Sequence, residues 1–531
     1  MNVAEHLVAT LVDEGVEVVF TVPGEQHDAI FRALSGTGIQ VVQTRHEQAA
    51  AFMAYGYARS SGRIGVFLVI SGPGVLYSTA ALATAWAANV PVLCIATQIS
   101  MPYLGRGLGV PHEIPEQLGV LESLSGWAAR VEQPDQVTAV VGEAFHRLTE
   151  YRPRPVSIEI PVDVLNMQVT APEAWVAPSV DRALDPAAIE AARSVLAQAR
   201  APMIYVGSGA RAAAPEIRAL AELLAVPVAT EVGGRGILAA DHELAINFPV
   251  AHRVWTEVDV VLAIGTRFRR PLSEWGVEGL RIIRIDLDDA EIRKAPVEVA
   301  VVGDAADAVR ALLDGPPPTA DHTEWVATVA AARRAVDAEI DRLTPQVDFL
   351  RALRAALPAD GYFVDELTQV GYVAWVQFPV SAPSTYISST NVGALGFGFA
   401  TALGVKVAHP DRPVLSISGD GGFLYTAVEL ATAVQHGIGV VAVVFDDGSY
   451  ANVERSQRNS MPSALGTALR NPDFVAFAEA FGAVGVRAHD PEELRTEIDK
   501  AFARTGTPTV IVVPVGEMPT PWPLIRLPRV R

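Results

Sequence analysis

The sequence predicts an α/β protein of three consecutive domains, each with a parallel β-sheet. The chain has 531 residues, which is long for a single hydrophobic core. Short apolar runs alternate with helix-like segments along its whole length, and this alternation is typical of parallel sheets. Two stretches lack both patterns, at 172–186 and in the proline-rich segment 315–319. We therefore expect domains at 1–170, 187–315 and 345–531.

The predicted elements follow from local patterns in each block. In the first block, apolar runs and turn residues predict helices at 3–14 and 47–60 and strands at 18–21, 65–71 and 91–97. In the second block, the same patterns predict a helix at 186–199 and strands at 203–207, 258–264 and 280–285. In the third block, they predict strands at 414–417 and 438–445 on either side of a helix at 427–436.

Composition narrows the class of protein. The chain is 50% hydrophobic, which indicates a globular protein. Its formal charge of −19 would repel nucleic acids and anionic membranes. Its one cysteine, Cys94, lies in an apolar run and excludes a disulfide framework within the chain. We see no signal peptide and no apolar run long enough to span a membrane. We expect a cytoplasmic protein.

Two acidic loops are the most informative feature. Gly419-Asp420-Gly421-Gly422 follows one predicted strand, and Phe445-Asp446-Asp447-Gly448-Ser449 follows the next. Parallel strands end at the same sheet edge, so we expect Asp420 and Asp447 to be neighbours. Two carboxylates, with the backbone carbonyl of Ser449 as a third oxygen, suit a divalent cation that holds a phosphate. The alternative is that both aspartates only stabilise turns.

Four motifs resemble those of thiamine diphosphate-dependent enzymes and occur along the chain in the order typical of that family. They are the acidic pair just described, Arg45-His46-Glu47-Gln48-Ala49-Ala50, Ser71-Gly72-Pro73-Gly74 and Gly393-Ala394-Leu395-Gly396. The similarity is strongest to acetolactate synthase-like enzymes, whereas benzoylformate and pyruvate decarboxylases are more distant. One departure is that Asp447 stands where the family usually has Asn, which adds a charge and favours tighter cation binding.

The resemblance implies roles for particular residues. It implies Mg²⁺ on Asp420, Asp447 and Ser449, and thiamine diphosphate bound by Glu47, Leu395 and glycines; the implied glycines are Gly72, Gly393, Gly419, Gly421 and Gly422. Glu47 would hydrogen-bond the pyrimidine ring and act as the catalytic acid, although without the resemblance it reads as a glutamate that opens a helix. Leu395 would support the bent cofactor.

Other candidates have weaker motifs. Glu25 and His112 are catalytic candidates for proton transfer or substrate contact, although each can also be an ordinary loop residue. Val453 stands where pyruvate decarboxylase-like members carry a glutamate, which favours ligation. The segment 207–212 matches G-x-G-x-x-A, with Glu231 downstream, but a single match is weak evidence for a nucleotide. The segment 246–250 departs from the pattern we expect of a flavin site, so FAD is doubtful.

We therefore expect a thiamine diphosphate-dependent carboligase of the acetolactate synthase type, which decarboxylates a 2-oxo acid and forms a C–C bond. A 2-oxo acid decarboxylase or C–C lyase without ligation is an alternative, and a catalytically silent cofactor-binding homologue is another. In the resembling family the site lies between two chains, so we expect a homodimer or homotetramer. The sequence does not identify the 2-oxo acid, the stereochemistry or the fate of the decarboxylated fragment.

Overall fold

The structure is a computed structural model that describes residues 1–172, 175–180, 182–315 and 320–531. The predicted linker at 315–319 falls, apart from Gly315, outside these residues. Between 175 and 185, the described residues form no helix or strand. The fold class is confirmed, because the strands form three six-stranded parallel sheets. The domain boundaries themselves stay a prediction.

The first sheet has the order β2-β1-β3-β4-β6-β5. Its strands are β1 Val18–Thr21, β2 Gln40–Gln43, β3 Gly65–Val69, β4 Val92–Gln98, β5 Trp127–Arg130 and β6 Val156–Pro161. Its helices are α1 Val3–Asp13, α2 Asp28–Leu34, α3 Glu47–Ser61, α4 Pro73–Ala88, α5 Gln117–Leu124, α6 Val137–Glu150 and α7 Val162–Leu165. Cys94 is buried in β4, as the apolar run around it predicts.

The second sheet has the order β12-β11-β10-β7-β8-β9, the doubly wound arrangement of dinucleotide-binding folds. Its strands are β7 Pro202–Val206, β8 Val228–Thr230, β9 Ala245–Asn247, β10 Val260–Ile264, β11 Arg281–Asp286 and β12 Val299–Val302. The helices of this part of the chain are α8 Pro186–Ala197, α9 Ala214–Leu224, α10 Phe248–Arg253, α11 Asp289–Ile292, α12 Ala305–Leu313 and α13 Thr323–Ile340.

The third sheet has the order β14-β13-β15-β16-β18-β17. Its strands are β13 Tyr362–Asp365, β14 Tyr386–Ser388, β15 Val414–Gly419, β16 Val441–Asp446, β17 Val484–Arg487 and β18 Thr509–Pro514. The helices are α14 Gln346–Ala356, α15 Gln369–Gln377, α16 Phe397–Ala408, α17 Asp420–Phe423, α18 Leu430–Gln435, α19 Ala451–Arg458, α20 Phe474–Ala480, α21 Pro491–Phe502 and α22 Trp522–Ile525. The helix predicted at 427–436 is a 3₁₀ turn, Ala427–Glu429, followed by α18.

By internal packing the chain divides into two compact units. The first comprises Met1–Val180, Ser389–Arg487 and Asp499–Pro514, and the second comprises Asp181–Ser388, Ala488–Ile498 and Val515–Arg531. The first unit contains every residue that the sequence predicts for the cofactor and the metal. None of the helices in the described ranges is long and apolar enough to cross a membrane. The cytoplasmic location stays a prediction.

Helices α3 and α16 are in backbone contact within the first unit. A Cβ atom added at Gly404 of α16 would lie 1.9 Å from the carbonyl oxygen of Met53, and one added at Gly56 of α3 would lie 2.2 Å from that of Thr401. No side chain fits at either position, so glycine is required for this close packing. Phe52 and Phe397 pack edge to face beside the contact, with ring centroids 5.6 Å apart. The contact fixes α3, whose first residue is Glu47.

Candidate functional site

The two acidic loops lie at one edge of the third sheet. Strands β15 and β16 are parallel neighbours, and Gly419 pairs with Phe445 at their ends. The next residues, Asp420 and Asp446, are joined by Asn471. Its side-chain Nδ2 donates to Asp420 Oδ2 at 2.6 Å and to Asp446 Oδ1 at 2.8 Å. Asp420 and Asp446 thus come together, as the register of the strands requires.

Asp447 takes part in a turn beside this pair. Its Oδ1 accepts the backbone N–H of Ser449 at 3.1 Å, and the Ser449 hydroxyl donates to Glu454 Oε2 at 2.6 Å. The described residues contain no cluster of three or more histidine, cysteine, aspartate or glutamate side chains arranged to hold a metal. A magnesium site completed by phosphate needs only one or two carboxylates. The oxygen donors at this edge therefore fit a cation that a diphosphate helps to bind.

Asp420 is 2% exposed, and its surroundings disfavour an ionised carboxylate that has no bound cation. Burial raises the pKa of its carboxyl group, and the nearby Asp446 raises it further, whereas hydrogen bonds from Asn471 and the Gly421 N–H lower it. A bound cation would offset the repulsion between the two carboxylates. This is the electrostatic setting in which a divalent cation binds strongly.

The glycines after Asp420 allow close packing. Gly419 caps α17 in an extended conformation, and Gly421 and Gly422 are buried in its single turn. A Cβ atom at Gly421 would lie 2.5 Å from Cε1 of Tyr450. A side chain at position 421 would therefore displace the Tyr450 ring from its place beside this turn.

Glu47 begins α3 and is 9% exposed. Its carboxylate has no hydrogen bond or ion pair to any residue in the described part of the chain. The following residues, Ala49, Ala50, Phe52 and Met53, are all buried. A carboxylate that has no partner within the described part of the protein and lies beside buried apolar residues is available to bind a ligand.

Local contacts fix the backbone at Glu47. His46 is the N-cap of α3, and its Nδ1 accepts the N–H of Gln48 at 3.1 Å. The His46 ring packs on Tyr77 of α4 with centroids 5.0 Å apart. The other end of α3 is closed by Gly62 in the left-handed conformation, with φ of +75°.

The loop with Leu395 lies against the first turn of α3. Gln48 Nε2 donates to the Leu395 carbonyl at 3.3 Å, and the Leu395 side chain is half-buried. Gly393 and Gly396 have φ of +71° and +82°. Thr426 Oγ1 donates to the Gly396 carbonyl at 3.0 Å. Gln48 and Leu395 are 347 positions apart in sequence. The motif that contains Glu47 and the motif that contains Leu395 are therefore spatial neighbours.

Gly72 is fixed by a buried polar network that the sequence did not reveal. Its N–H donates to Gln117 Oε1 at 2.8 Å, and Gln117 Nε2 donates to Glu159 Oε2 at 2.8 Å. Glu159 is fully buried and is paired with Arg130. Gln26, from the one-turn helix Glu25–His27, also contacts this loop. Its side-chain oxygen accepts from the Ser71 N–H and hydroxyl and from the Thr97 hydroxyl at 2.7–3.1 Å. No local pattern marks these residues, because each acts through contacts that are distant in sequence.

His112 and Glu25 lie in separate exposed loops. His112 has φ of +68°, and its carbonyl oxygen would lie 2.5 Å from a Cβ at Gly72. Glu113 holds this loop, because its carboxylate accepts the N–H groups of Gly107 and Val110 at 3.1 Å each. Glu25 is exposed in the one-turn helix Glu25–His27. His112 therefore touches the Gly72 loop through its backbone, and the catalytic role of both side chains stays a prediction.

The nucleotide-like motif of the second sheet has partners within the protein. A Cβ at Gly207 would lie 2.5 Å from the Gly265 carbonyl oxygen, and one at Gly209 would lie 3.0 Å from Gly265 Cα. Glu231 accepts from the Tyr205 hydroxyl at 2.8 Å and is 3.4 Å from Arg270 Nε. The glycines and the acid therefore have a structural explanation that needs no nucleotide.

Family models match all three parts of the chain. They are "Thiamine pyrophosphate enzyme, N-terminal TPP binding domain" at 1–120, the central domain of the same family at 189–312, and the C-terminal TPP binding domain at 367–513. The chain belongs to the thiamine pyrophosphate enzyme family. Glu47 lies in the segment that matches the N-terminal TPP binding domain, and Asp420 lies in the one that matches the C-terminal TPP binding domain.

Relatives of this thiamine pyrophosphate enzyme extend over nearly its full length. A protein named "Probable 2-ketoarginine decarboxylase" of Pseudomonas aeruginosa is 36% identical over 95% of this chain and 93% of its own length. A "Probable acetolactate synthase large subunit" of Methanocaldococcus jannaschii is 31% identical over 94% of this chain and 90% of its own. The "Acetolactate synthase isozyme 3 large subunit" of Escherichia coli is 28% identical over 96% and 94%. The predicted family and cofactor class are confirmed.

Proposed function

We propose that this thiamine pyrophosphate enzyme, with Mg²⁺, decarboxylates a 2-oxo acid and joins the remaining fragment to a second carbonyl compound. The observation that carries the proposal is the side chain of Glu47. This residue is 9% exposed at the start of α3, and its carboxylate has no partner among the described residues. The next residue, Gln48, bonds to the carbonyl of Leu395. Thiamine diphosphate, when bound, supplies the nucleophilic carbon and accepts the electrons released as carbon dioxide leaves.

The side chains of this chain would do the remaining work. Glu47 would hold a proton on its carboxylate and exchange it with the cofactor's pyrimidine ring, and the buried residues that follow it would exclude water. Leu395 would contact the cofactor and support its bound shape. Asp420 and Asp447, with the carbonyl of Ser449, would bind Mg²⁺, and Asp446 would add negative charge beside them. Gly72, Gly393, Gly419, Gly421 and Gly422 would line the cofactor without side chains.

Val453 on α19 supports ligation over simple decarboxylation. It is 49% exposed and apolar, so this position offers no acid to protonate the decarboxylated fragment. A second carbonyl compound would then capture the fragment and give a 2-hydroxy ketone or 2-hydroxy acid. Release of an aldehyde after protonation is the second candidate, favoured by the relative named as a 2-ketoarginine decarboxylase.

Two groups of exposed apolar side chains support the proposed dimer. On α4, Leu76, Tyr77 and Trp86 are 45%, 53% and 39% exposed. A second group of exposed apolar side chains lies between 424 and 434 and consists of Leu424, Tyr425, Val428 and Val434. Apolar surface of this kind is characteristic of protein–protein contacts, and we assign it to a second copy of the chain.

Product analysis tests the reaction. The purified protein would be incubated with thiamine diphosphate, Mg²⁺ and a panel of 2-oxo acids that includes pyruvate and 2-ketoarginine, each alone and with an added aldehyde. Mass spectrometry should detect carbon dioxide together with ligated products. Aldehyde alone would establish the decarboxylase, and no turnover of any 2-oxo acid would contradict the proposal.

Replacement of Glu47 tests the role of this residue. Glu47→Gln should bind the cofactor but lose about 10²–10⁴-fold in turnover, because the amide cannot exchange the required proton. Steady-state rates and cofactor titrations would be compared with Glu122→Gln, a change at an exposed glutamate of α5. Near-normal turnover in Glu47→Gln would exclude the proposed role.

A further inference from the structure

Glu429 is a buried carboxylate for which the mechanism above has no role. It is 0% exposed and ends the 3₁₀ turn Ala427–Glu429. Both of its oxygens accept the backbone N–H of Arg45 at 3.1 Å, and the Thr432 hydroxyl donates to Oε2 at 2.5 Å. The backbone N–H of His46 is a further donor to this carboxylate. A glutamate near one cofactor motif therefore binds the two peptide groups just before Glu47.

These two N–H groups lie at a point where the helix cannot satisfy them. His46 is the N-cap of α3 and Arg45 precedes it, so neither N–H has a partner within the helix. A buried N–H without an acceptor is costly, and the Glu429 carboxylate is the acceptor. The direction in which the chain enters α3 depends on this contact, and so does the position of Glu47, the first residue of the helix.

The segment that contains Glu429 also contacts the Leu395 loop. Three residues before Glu429, Thr426 donates its hydroxyl to the Gly396 carbonyl at 3.0 Å, and Glu429 N–H donates to the Thr426 carbonyl at 3.0 Å. A Cβ at Gly396 would lie 2.7 Å from Cβ of Tyr425. The turn at 425–429 thus contacts both the residue after Leu395 and the residues before Glu47.

The charge state of Glu429 suits this contact. Burial raises its pKa to about 6, while the Thr432 hydroxyl and the N–H groups of Arg45 and His46 act in the opposite direction. Above pH 7 the carboxylate form dominates, and a carboxylate can only accept hydrogen bonds. A glutamine in its place would have only one acceptor oxygen, and its NH₂ group could not accept the backbone N–H groups.

We propose that Glu429 is a positioning residue for Glu47: its carboxylate accepts the backbone N–H groups of Arg45 and His46 and thereby orients the first turn of α3. This inference rests on the proposed function, because it assumes that Glu47 is the catalytic acid. Glu429 itself does not touch the substrate or the cofactor in this role.

Glu429→Gln provides the test, and Gln435→Ala is the matched control. Gln435 accepts from the Arg45 side chain at 3.1 Å and lies on the same segment, but it does not bind the Arg45 backbone. Glu429→Gln should lower kcat about 10–100-fold at saturating cofactor, with cofactor affinity within about threefold of the wild type. Hydrogen–deuterium exchange at the Arg45 and His46 amides should become faster. Gln435→Ala should change neither quantity.

A double-mutant cycle separates positioning from a general structural role. If Glu429 acts through Glu47, the pair Glu429→Gln and Glu47→Gln should be no slower than Glu47→Gln alone. Additive losses, or a Glu429→Gln protein with wild-type kcat, would overturn the inference. If Glu429→Gln does not fold, Glu429→Asp replaces it, and wild-type kcat and amide exchange in that variant would also overturn the inference. A wild-type rate in Glu47→Gln would instead overturn the proposed function, and amide exchange in the Glu429 variants would still report the contact.

Discussion

Gly404→Ala is predicted to displace α3 and to impair both stability and turnover. The added Cβ would lie 1.9 Å from the carbonyl oxygen of Met53, whereas real Cβ atoms essentially never approach another heavy atom closer than 3.0 Å. The difference means that the two helices must separate by at least about 1.1 Å. The obstacle is backbone, so no side-chain rotation relieves it. Overpacking of this kind costs about 1–3 kcal/mol, and we expect a value near the upper end.

The same displacement reaches Glu47, the proposed catalytic acid. Met53 lies six residues after Glu47 on α3, which is about 9 Å along the helix axis. A helix moves nearly as a rigid body over this distance, so Glu47 should shift by roughly 1 Å. Catalytic groups tolerate about 0.5 Å, and a misplacement of about 1 Å can cost about 10²-fold in rate. Turnover should therefore fall by about this factor.

Thermal unfolding and kcat at saturating cofactor measure the two effects. We expect Gly404→Ala to unfold roughly 5–10 °C below the wild type. Gly119→Ala is the matched control, because Gly119 is an exposed glycine of helix α5 whose added Cβ would meet only the Glu116 Cβ at 3.8 Å. That change should be neutral or slightly stabilising. A Gly404→Ala protein with wild-type Tm and kcat would refute the backbone contact between α3 and α16.

Three further predictions concern the metal edge, the assembly and the response to pH. Asp420→Ala should remove most Mg²⁺-dependent affinity for thiamine diphosphate, because the proposed cation site loses a buried carboxylate; unchanged titrations with and without Mg²⁺ would exclude this role. The protein should be at least a dimer, and activity should fall on dilution as dimers dissociate; light scattering that finds a fully active monomer would contradict the proposed dimer. Burial raises the pKa of Asp365 from 3.8 to about 7. The folded state therefore holds this proton more tightly than the unfolded state, so the associated stability is present below about pH 4 and is lost as pH rises through about 7. Urea unfolding should show a smaller fall in stability between pH 5 and 8 for Asp365→Asn than for the wild type, and equal slopes would contradict the assignment.

The fold could be predicted from the sequence because its signals are local. Alternating apolar runs and helices are visible in short windows, and the rule for parallel strands then brings the acidic loops to one edge. The strand register decides the finer arrangement. Since Gly419 pairs with Phe445, Asp420 faces Asp446 rather than Asp447. The spacing of the motif alone does not contain that information.

The supporting residues could not be predicted, because their partners are distant in sequence. Asn471 is 51 positions from Asp420, Gln117 is 45 from Gly72, and Glu429 is 384 from Arg45. Each is a common polar residue in a segment with no distinctive spacing. Their role depends on which loops the fold brings together, and only tertiary structure gives that information.

Glu47 is held by three independent restraints, and their physical differences make them separable by experiment. The His46 cap acts through one hydrogen bond within the first turn, Glu429 acts on the chain that enters the turn, and Gly404 acts on the helix as a whole through Met53. Gly404→Ala should therefore lower both Tm and kcat, since it forces two helices apart. Loss of the Glu429 contact should lower kcat with little change in cofactor affinity, since the helix packing stays intact. If Glu47 exchanges protons as proposed, its carboxylate needs this degree of support, because it has no partner of its own among the described residues.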